Sequence, residues 1–324
     1  MKTSIFTVII AIATIFFGRI FLNEAKADTK TQSFSFEELK SAEKVDLPAP
    51  QYLEAGDKTN LAFREYLPKQ TDATLIFFHG GGAHSAAGYQ HIGNGLSNHF
   101  NIAVYAPDIR GHGNSEGDRG DAPSSKQVLD DIGVIIRHVR MKHAGKPLFL
   151  GGHSSGAGLI LNYSSFPTKE KIQGYVFLSP HLGFRSKTEN DKNPHPFAEV
   201  KTSLFIKNAM FGTDGNSKAV FFNYSKEALE KNPALITAIT VNMSNALTPS
   251  SPGDQLKELD LPLASWIGAE DEVLDKDKVT SFINENYPKS FTKIVAKEKH
   301  LSILLTASPH IGAYIQSIIG EKVP

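Results

Sequence analysis

The chain of 324 residues contains no cysteine, and neither sign of charge dominates. Without cysteine it can form no disulfide framework, use no thiol nucleophile and carry no lipobox cysteine for a lipid anchor. Its 34 Lys and Arg residues balance 34 Asp and Glu residues, and no polybasic segment is present. Because nucleic acid is bound mainly through clustered positive charge, we expect no nucleic-acid partner.

Motifs for metal and nucleotide binding are missing as well. The sequence has no His-Glu-x-x-His, no Walker loop and no Gly-x-Gly-x-x-Gly. Four histidines show no i, i+4 pairing with carboxylates or with one another that would suggest a metal: His84, His91, His99 and His181. Three others, His79, His112 and His153, are interpreted as hydrogen-bonding backbone groups. We therefore expect neither a cofactor nor a metal.

A hydrophobic segment opens the chain. Lys2 precedes an apolar run from Ile5 to Phe17, and Ala25-Lys26-Ala27 places small residues at the −3 and −1 positions of a cleavage site. We predict a signal peptide over residues 1–27, export to the periplasm or the medium, and a flexible lead-in over 28–50. An uncleaved signal anchor stays open as the alternative, although Arg19 interrupts the run before the length of a spanning helix is reached.

A candidate nucleophile lies in the middle of the chain. The apolar run at 147–151 leads into Gly152–Gly156, a Gly-x-Ser-x-Gly pattern, and a helix-like segment follows. A strand, a sharp turn and a helix together form a nucleophile elbow, which strains the serine backbone and exposes its hydroxyl. The pattern alone is weak, but the parts that such an elbow needs follow in the right order. Ser154 is the predicted nucleophile.

A glycine-rich loop supplies the second part of the predicted site. The strand-like run 74–78 enters His79–Gly82, and glycines let backbone N–H groups approach a developing oxyanion without a Cβ in the way. We assign the oxyanion hole to the N–H groups of Gly81 and Ser155, the residue after the nucleophile. The alternative is an ordinary glycine-rich turn.

An acid and a base complete the predicted triad. The strand-like run 262–267 opens onto a loop with four carboxylates, of which Asp271 is the predicted acid and Glu270 and Asp275 are the alternatives. His300 follows the last strand-like run, 291–295, and is the predicted base. The chain order nucleophile, acid, base is typical of α/β-hydrolases and differs from the chymotrypsin and subtilisin orders.

The overall pattern predicts an α/β fold. Strand-like and helix-like runs alternate, which favours a mostly parallel twisted sheet with helices on both faces. We expect a core formed by residues 51–181 and 256–324, with a cap inserted between the sixth strand and the acid strand over 182–255. The cap is interpreted as a lid with an apolar pocket for an acyl chain; alternatively its aromatic residues only pack it onto the core.

These motifs together resemble the monoacylglycerol lipase and lysophospholipase group of α/β-hydrolases, which overlaps the serine aminopeptidase S33 type of domain. The residues that carry the resemblance are His79–Gly81, Asp108–Gly117, Gly152–Gly156, Gly268–Asp271 and His300. It covers roughly residues 50–320 and implies hydrolysis of monoacyl lipids, such as monoacylglycerol or lysophospholipid, or of small acyl esters. One departure is Ser155-Gly156-Ala157, where the family often has Met-Gly-Gly.

Three functions follow as hypotheses. The leading one is a carboxylic ester hydrolase with the triad Ser154, Asp271 and His300, acting on a small-molecule ester or a monoacyl lipid, with transient contact with a lipid interface left open. The second is an exported serine aminopeptidase, whose cap would need a carboxylate for the substrate ammonium. Its candidates are Glu189, Asp191 and Glu199. The third is a catalytically silent binding module on a hydrolase scaffold.

Overall fold

The computed structural model describes residues 39, 41–193 and 196–320. The expected signal peptide (1–27) and the first part of the expected lead-in (28–38) lie outside these residues. Residues 43–50 contain neither helix nor strand, and Asn94 Nδ2 donates a hydrogen bond to the carbonyl oxygen of Asp46 at 2.6 Å. Within the described part of the chain, no helix is both long enough and apolar enough to cross a bilayer.

The described residues form two sheets. The larger has eight strands in the order β1-β2-β4-β3-β5-β6-β10-β11, and the smaller has three in the order β7-β8-β9. In chain order the strands are β1 (Gln51–Glu54), β2 (Asn60–Tyr66), β3 (Ala73–Phe78), β4 (Ile102–Pro107), β5 (Leu148–His153), β6 (Gly174–Leu178), β7 (Ala198–Val200), β8 (Lys218–Phe222), β9 (Ala238–Thr240), β10 (Leu263–Gly268) and β11 (Phe291–Val295).

The larger sheet is mostly parallel, as the sequence predicts. At one edge of this sheet, β2 pairs antiparallel with both of its neighbours, β1 and β4. All the other neighbouring strands, from β4 to β11 in the sheet order, pair parallel. Strands β3 to β6 are buried along their whole length. Strands covered on both faces read as continuous apolar runs, which explains why the sequence locates them within one or two residues.

Helices cover both faces of this sheet. Alternate side chains of a strand point to opposite faces, so Leu75 and Phe77 belong to one apolar cluster and Ile76 and Phe78 to the other. In chain order the helices in the described residues are α1 (Gln90–Phe100), α2 (Ser125–Lys142), α3 (Ser155–Ser164), α4 (Thr202–Phe211), α5 (Lys226–Lys231), α6 (Val241–Leu247), α7 (Pro252–Lys257), α8 (Lys276–Asn286) and α9 (Ile303–Gly320).

The segment between β6 and β10 has a sheet of its own. Strands β7, β8 and β9 pair antiparallel, and helices α4, α5 and α6 lie in the same stretch. This is the part of the chain in which the sequence places a cap. Helix α6 contributes buried residues such as Met243 and Leu247, which join the core cluster of the main sheet.

The topology brings four loops to one edge of the main sheet. Strands β3, β5, β10 and β11 are linked by parallel pairing, so their carboxyl ends lie on the same side. The loop 79–82 follows β3, Ser154 follows β5, the loop 269–275 follows β10, and His300 follows β11. In open α/β sheets this edge is where ligands bind.

Candidate active site

Ser154 lies in a sharp turn between β5 and α3. Its backbone has φ 53° and ψ −122°, a left-handed conformation that a residue with a Cβ adopts at a cost of about 1–3 kcal/mol. The turn is held because Ser154 N–H donates to Leu178 O at 2.9 Å and His181 N–H donates to Ser154 O at 3.1 Å. A Cβ on Gly156 would lie 2.5 Å from Phe78 O, so the helix can pass this close to β3 only with glycine there. This geometry is that of a nucleophile elbow.

Asp271 and His300 form a buried pair. His300 Nδ1 lies 3.0 and 2.9 Å from the two carboxylate oxygens of Asp271. The N–H groups of Val273 and Leu274 also donate to Asp271 Oδ1, at 3.0 and 2.8 Å. A carboxylate with these neighbours holds the Nδ1–H tautomer of the imidazole, which leaves Nε2 as the proton acceptor.

The pKa values of the pair move in opposite directions. Burial by itself would lower the pKa of His300, but the negative charges of Asp271 and Glu272 outweigh it and raise the pKa above its ordinary value. Burial would likewise raise the pKa of Asp271, but the His300 charge and the donated hydrogen bonds lower it. The carboxylate therefore stays ionised, and the imidazole becomes a stronger base.

The two alternative acids are placed elsewhere. Glu270 is exposed to solvent. Asp275 is the N-cap of α8, where its Oδ1 accepts from the N–H groups of Asp277 and Lys278 at 3.0 and 3.1 Å. Capping uses the carboxylate to satisfy helix N–H groups. The geometry thus favours Asp271 among the three candidates.

A chain of hydrogen bonds connects the loops around the site. Gly80 N–H donates to Tyr89 Oη at 2.8 Å, and Tyr89 Oη lies 2.9 Å from His153 Nδ1. The other ring nitrogen, His153 Nε2, lies 2.9 Å from His300 O, which can only accept. His153 must therefore donate from Nε2 and accept at Nδ1 from the tyrosine hydroxyl. The oxyanion loop, the elbow and the base loop are joined through buried Tyr89 and His153.

The two predicted oxyanion donors lie side by side. A Cβ on Gly80 would be 3.2 Å from Ser154 Cβ, and one on Gly81 would be 3.1 Å from Ser155 Oγ. Within the described residues, neither the Gly81 N–H nor the Ser155 N–H has a protein acceptor. Both residues are partly exposed. Two free N–H groups beside a serine hydroxyl are what an oxyanion hole requires.

His79 orients the first of these donors. Ile109 N–H donates to His79 Nε2 at 3.0 Å, so the proton is on Nδ1, which donates to Gly80 O at 2.8 Å. That carbonyl belongs to the same planar peptide as the Gly81 N–H. Burial lowers the pKa of His79 to about 3, so the ring stays neutral and its hydrogen bonds keep this direction.

Sequence reasoning missed two contributors to this arrangement. Tyr89 has no motif around it, and only the fold brings its hydroxyl to Gly80 and His153. Glu272 lies in the loop of four carboxylates, but its contact with the base is visible only in the structure: His300 N–H donates to Glu272 Oε2 at 3.0 Å. For Glu272, the only signal in the sequence is the cluster of acidic residues in this loop; for Tyr89 there is none.

The loop Asp108–Gly117, which carries much of the family resemblance, has a structural role beside the site. Asp108 accepts from Ser85 N–H at 2.6 Å and from Asn114 N–H at 2.8 Å, so it ties the loop after β4 to the end of the glycine-rich loop.

Among the described residues, no group of three or more His, Cys, Asp and Glu side chains is arranged to hold a metal ion.

The parallel sheet, the elbow and the acid–base pair at the strand ends define an α/β-hydrolase. A family model described as serine aminopeptidase, S33, matches residues 69–301, and the chain belongs to that family. The fold class and the family resemblance expected from the sequence are both confirmed.

Individual relatives are similar to this chain over part of its length. The chain is 34% identical to human monoglyceride lipase over 143 residues, 42% of this chain and 43% of that protein. It is 36% identical over 126 residues, 39% of this chain, to an uncharacterized abhydrolase domain-containing protein of Dictyostelium discoideum. The chain thus covers 43% and 13% of these two relatives.

A solved structure shows the same fold over most of the chain. A soluble variant of monoglyceride lipase from Saccharomyces cerevisiae, in complex with a substrate analog, superposes with a TM-score of 0.66 at 16% identity. The superposition covers 87% of this chain and 97% of that one.

Proposed function

We propose that the chain is a serine hydrolase that cleaves carboxylic esters through an acyl-enzyme, with monoacyl lipids as the principal substrates. The observation that carries the proposal is the site itself: a strained serine beside two N–H groups that lack a protein acceptor in the described residues, and a buried histidine that a carboxylate binds at Nδ1 at 2.9 Å and whose carbonyl accepts a hydrogen bond from His153, the residue before that serine. This set of groups is matched to acyl transfer.

In the proposed mechanism, Ser154 Oγ attacks the ester carbonyl while His300 Nε2 takes its proton. The carbonyl oxygen becomes an oxyanion held by the N–H groups of Gly81 and Ser155. His300 then gives the proton to the leaving alcohol as the ester C–O bond breaks, and the acyl group remains on Ser154. Water, deprotonated by His300, attacks this second ester. The bond from the acyl carbon to Ser154 Oγ then breaks, His300 returns the proton to Oγ, and the carboxylic acid leaves. Asp271 holds the imidazole and stabilises its charged form.

The preference for monoacyl lipids is supported by the human relative, whose name is monoglyceride lipase, and by the aromatic cap next to the site. Phe222 stacks on Phe197 with ring centroids 5.4 Å apart, and Tyr224 meets Phe197 edge-on at 5.2 Å. The Phe222 ring lies against the oxyanion loop, 3.1 Å from where a Cβ of Gly81 would be. An apolar wall at this place suits a single acyl chain.

A hydrolysis panel on protein lacking residues 1–27 tests the proposal. It comprises p-nitrophenyl esters from acetate to palmitate, a monoacylglycerol, lysophosphatidylcholine, and alanine and proline p-nitroanilides. We expect turnover of long-chain and monoacyl esters, and a loss of at least about 10³-fold in Ser154→Ala. Ser165→Ala, at the exposed far end of α3, is the matched control. Near-wild-type turnover in Ser154→Ala would reject the mechanism.

Two outcomes would select the other hypotheses. Activity on the anilides alone would indicate an aminopeptidase. Against it, two of the three candidate carboxylates already have partners within the protein: Asp191 is paired with Lys278 at 2.6 Å, and Glu189 lies 3.6 Å from His181 Nε2. The third, Glu199, is exposed on β7. No turnover and no fluorophosphonate labelling of Ser154 would indicate a silent module.

We also propose that the cap touches lipid surfaces. Helix α4 buries none of its side chains, and three of its apolar residues, Ile206, Met210 and Phe211, are more than half exposed. Exposed Lys201 and Lys207 accompany them, a combination that suits an anionic bilayer surface. Ile206→Ser/Phe211→Ser should weaken cosedimentation with phosphatidylglycerol vesicles, whereas Met141→Ser, which alters an exposed methionine on α2, should not. Equal binding by both variants would contradict this contact.

Export remains a proposal of its own, since residues 1–27 lie outside the described part of the chain. It is supported by the apolar run and the small residues before Asp28. Intact mass of the full-length product from cell fractions and medium tests it. We expect a chain that begins at Asp28 outside the cytoplasm, and an uncleaved membrane-bound product would support the signal anchor instead.

A further inference from the structure

The oxyanion loop is held from two sides. On the core side, His79 Nδ1–H donates to the carbonyl of Gly80. On the cap side, Tyr224 Oη–H donates to the carbonyl of Gly81 at 3.3 Å, and Ile236 N–H donates to the carbonyl of Gly82 at 2.8 Å. Three consecutive carbonyls are therefore fixed, the first by the core and the next two by the cap.

Gly82 is the point where the cap meets this loop. It has φ +73°, and a Cβ there would lie 2.7 Å from Ile236 O, 2.7 Å from Tyr224 Oη and 2.8 Å from a Phe222 ring carbon. Contacts this short leave no room for any side chain. The segment from Phe222 to Ile236, which we call the cap edge, therefore lies directly against the loop backbone.

A further hydrogen bond joins the cap to the chain just after the glycines of the oxyanion loop. Ala86 N–H donates to His84 Nδ1 at 3.3 Å, so His84 Nε2 carries the proton and donates to Asn232 Oδ1 at 2.8 Å. Two residues further along the chain from Asn232, the carbonyl of Ala234 accepts a hydrogen bond from Arg119 Nη2 at 2.7 Å. The cap edge is thus hydrogen-bonded to the loops around the site at several points.

We propose that Tyr224 is a positioning residue of the oxyanion hole: its hydroxyl holds the Gly81–Gly82 peptide so that the Gly81 N–H points at the developing oxyanion. The inference rests on the proposed function and adds the cap to its machinery. A glycine has no side chain to limit its torsions, so the direction of the Gly81 N–H depends on the peptides on both sides of it. His79 fixes one of these peptides and Tyr224 fixes the other.

Removing the hydroxyl should therefore weaken stabilisation of the transition state more than binding of the substrate. A neutral hydrogen bond contributes about as much as a three- to tenfold change in rate, whereas losing an oxyanion donor outright costs about 10²–10³-fold. In Tyr224→Phe we expect kcat to fall about three- to tenfold with KM nearly unchanged. Affinity for a trifluoromethyl ketone, whose adduct carries an oxyanion, should fall by the same factor.

The control is Tyr287→Phe. Tyr287 Oη also donates to a backbone carbonyl, Leu261 O at 3.0 Å, but it follows α8, and among the described residues no hydrogen bond joins it to the oxyanion loop. Both variants lose one tyrosine–carbonyl bond, so both are expected to lose some thermal stability. Only Tyr224→Phe should lose kcat and ketone affinity together.

Hydrogen exchange separates failure of this inference from failure of the proposed function. Amides of peptides covering residues 79–85 should exchange faster in Tyr224→Phe than in wild type or Tyr287→Phe, whether or not an ester substrate is turned over. Unchanged exchange together with unchanged kcat would overturn the positioning role. If neither wild type nor Ser154→Ala hydrolyses any ester, the proposed function fails, and the exchange result still decides whether Tyr224 holds the loop.

Discussion

Three buried histidines near the site should make the protein lose stability as the pH falls below about 6.5. Burial lowers the pKa values of His79, His112 and His153 to about 3. In the unfolded chain each ring binds a proton near its ordinary pKa, but in the folded protein none does until far lower pH. Protons therefore favour the unfolded state: the stabilisation is complete above the unfolded pKa and is lost as the pH falls towards the folded one.

The magnitude follows from the separation of the two pKa values. At about pH 5, linkage gives a loss of about 2 kcal/mol for each ring and about 6 kcal/mol for the three. His300 acts in the opposite direction because its pKa is raised in the folded state, so its protonation offsets part of the loss in free energy of unfolding. A domain is stable by about 5–15 kcal/mol in total, so the remaining loss should be a substantial fraction of the free energy of unfolding.

Urea unfolding at about pH 7, 6 and 5, followed by fluorescence of the single buried Trp266, measures the loss directly. The variant His112→Asn removes one titrating ring, while its amide can still donate to Arg110 O, the partner of His112 Nδ1 at 3.0 Å. It should be less stable at neutral pH but lose about 2 kcal/mol less free energy of unfolding on acidification to about pH 5. An equal loss in both proteins, or none in wild type, would refute the reasoning.

Other variants test the site and the cap. Glu272→Gln removes a charge that raises the pKa of His300, so the acid limb of the kcat/KM profile should shift to lower pH; an unmoved limb would exclude Glu272 as a cause. Gly82→Ala should lower kcat/KM by about tenfold or more, because its Cβ would displace the cap edge; wild-type kinetics would show that the loop adapts. The chain has no cysteine, so His84→Cys/Asn232→Cys can be bridged by a short bis-maleimide. Turnover should then match that of the unbridged variant, and loss on bridging would show that the cap edge must open.

Much of the fold is readable from the sequence because the interior strands are buried on both faces. Strand β6, for example, coincides with the predicted run 174–178. The elbow and the acid–base pair are also readable, since each lies in the loop that follows such a strand. The chain order of Ser154, Asp271 and His300 then limits the assignment before any contact is known.

Contacts between distant segments are not readable in this way. Tyr89 reaches His153 across 64 positions of the chain, and Tyr224 reaches Gly81 across 143. Neither tyrosine lies in a periodic pattern or motif that distinguishes it from a packing aromatic. The choice of Asp271 over Asp275 likewise depends on one carboxylate being used as a helix cap, which the crowded acidic loop does not reveal.

The attachment of the cap edge limits how a lid could work in this protein. If the whole cap lifted from the core, the bonds to the Gly81 and Gly82 carbonyls would break, and the proposed oxyanion hole would lose its support in the open state. Helix α4 is held less firmly: none of its side chains is fully buried, and Phe205 is only partly buried where it packs against the core. Because local opening occurs where few apolar contacts resist it, substrate entry is best served by movement of α4 while the cap edge stays docked. Substrate entry would then depend on α4, and stabilisation of the transition state would depend on the cap edge.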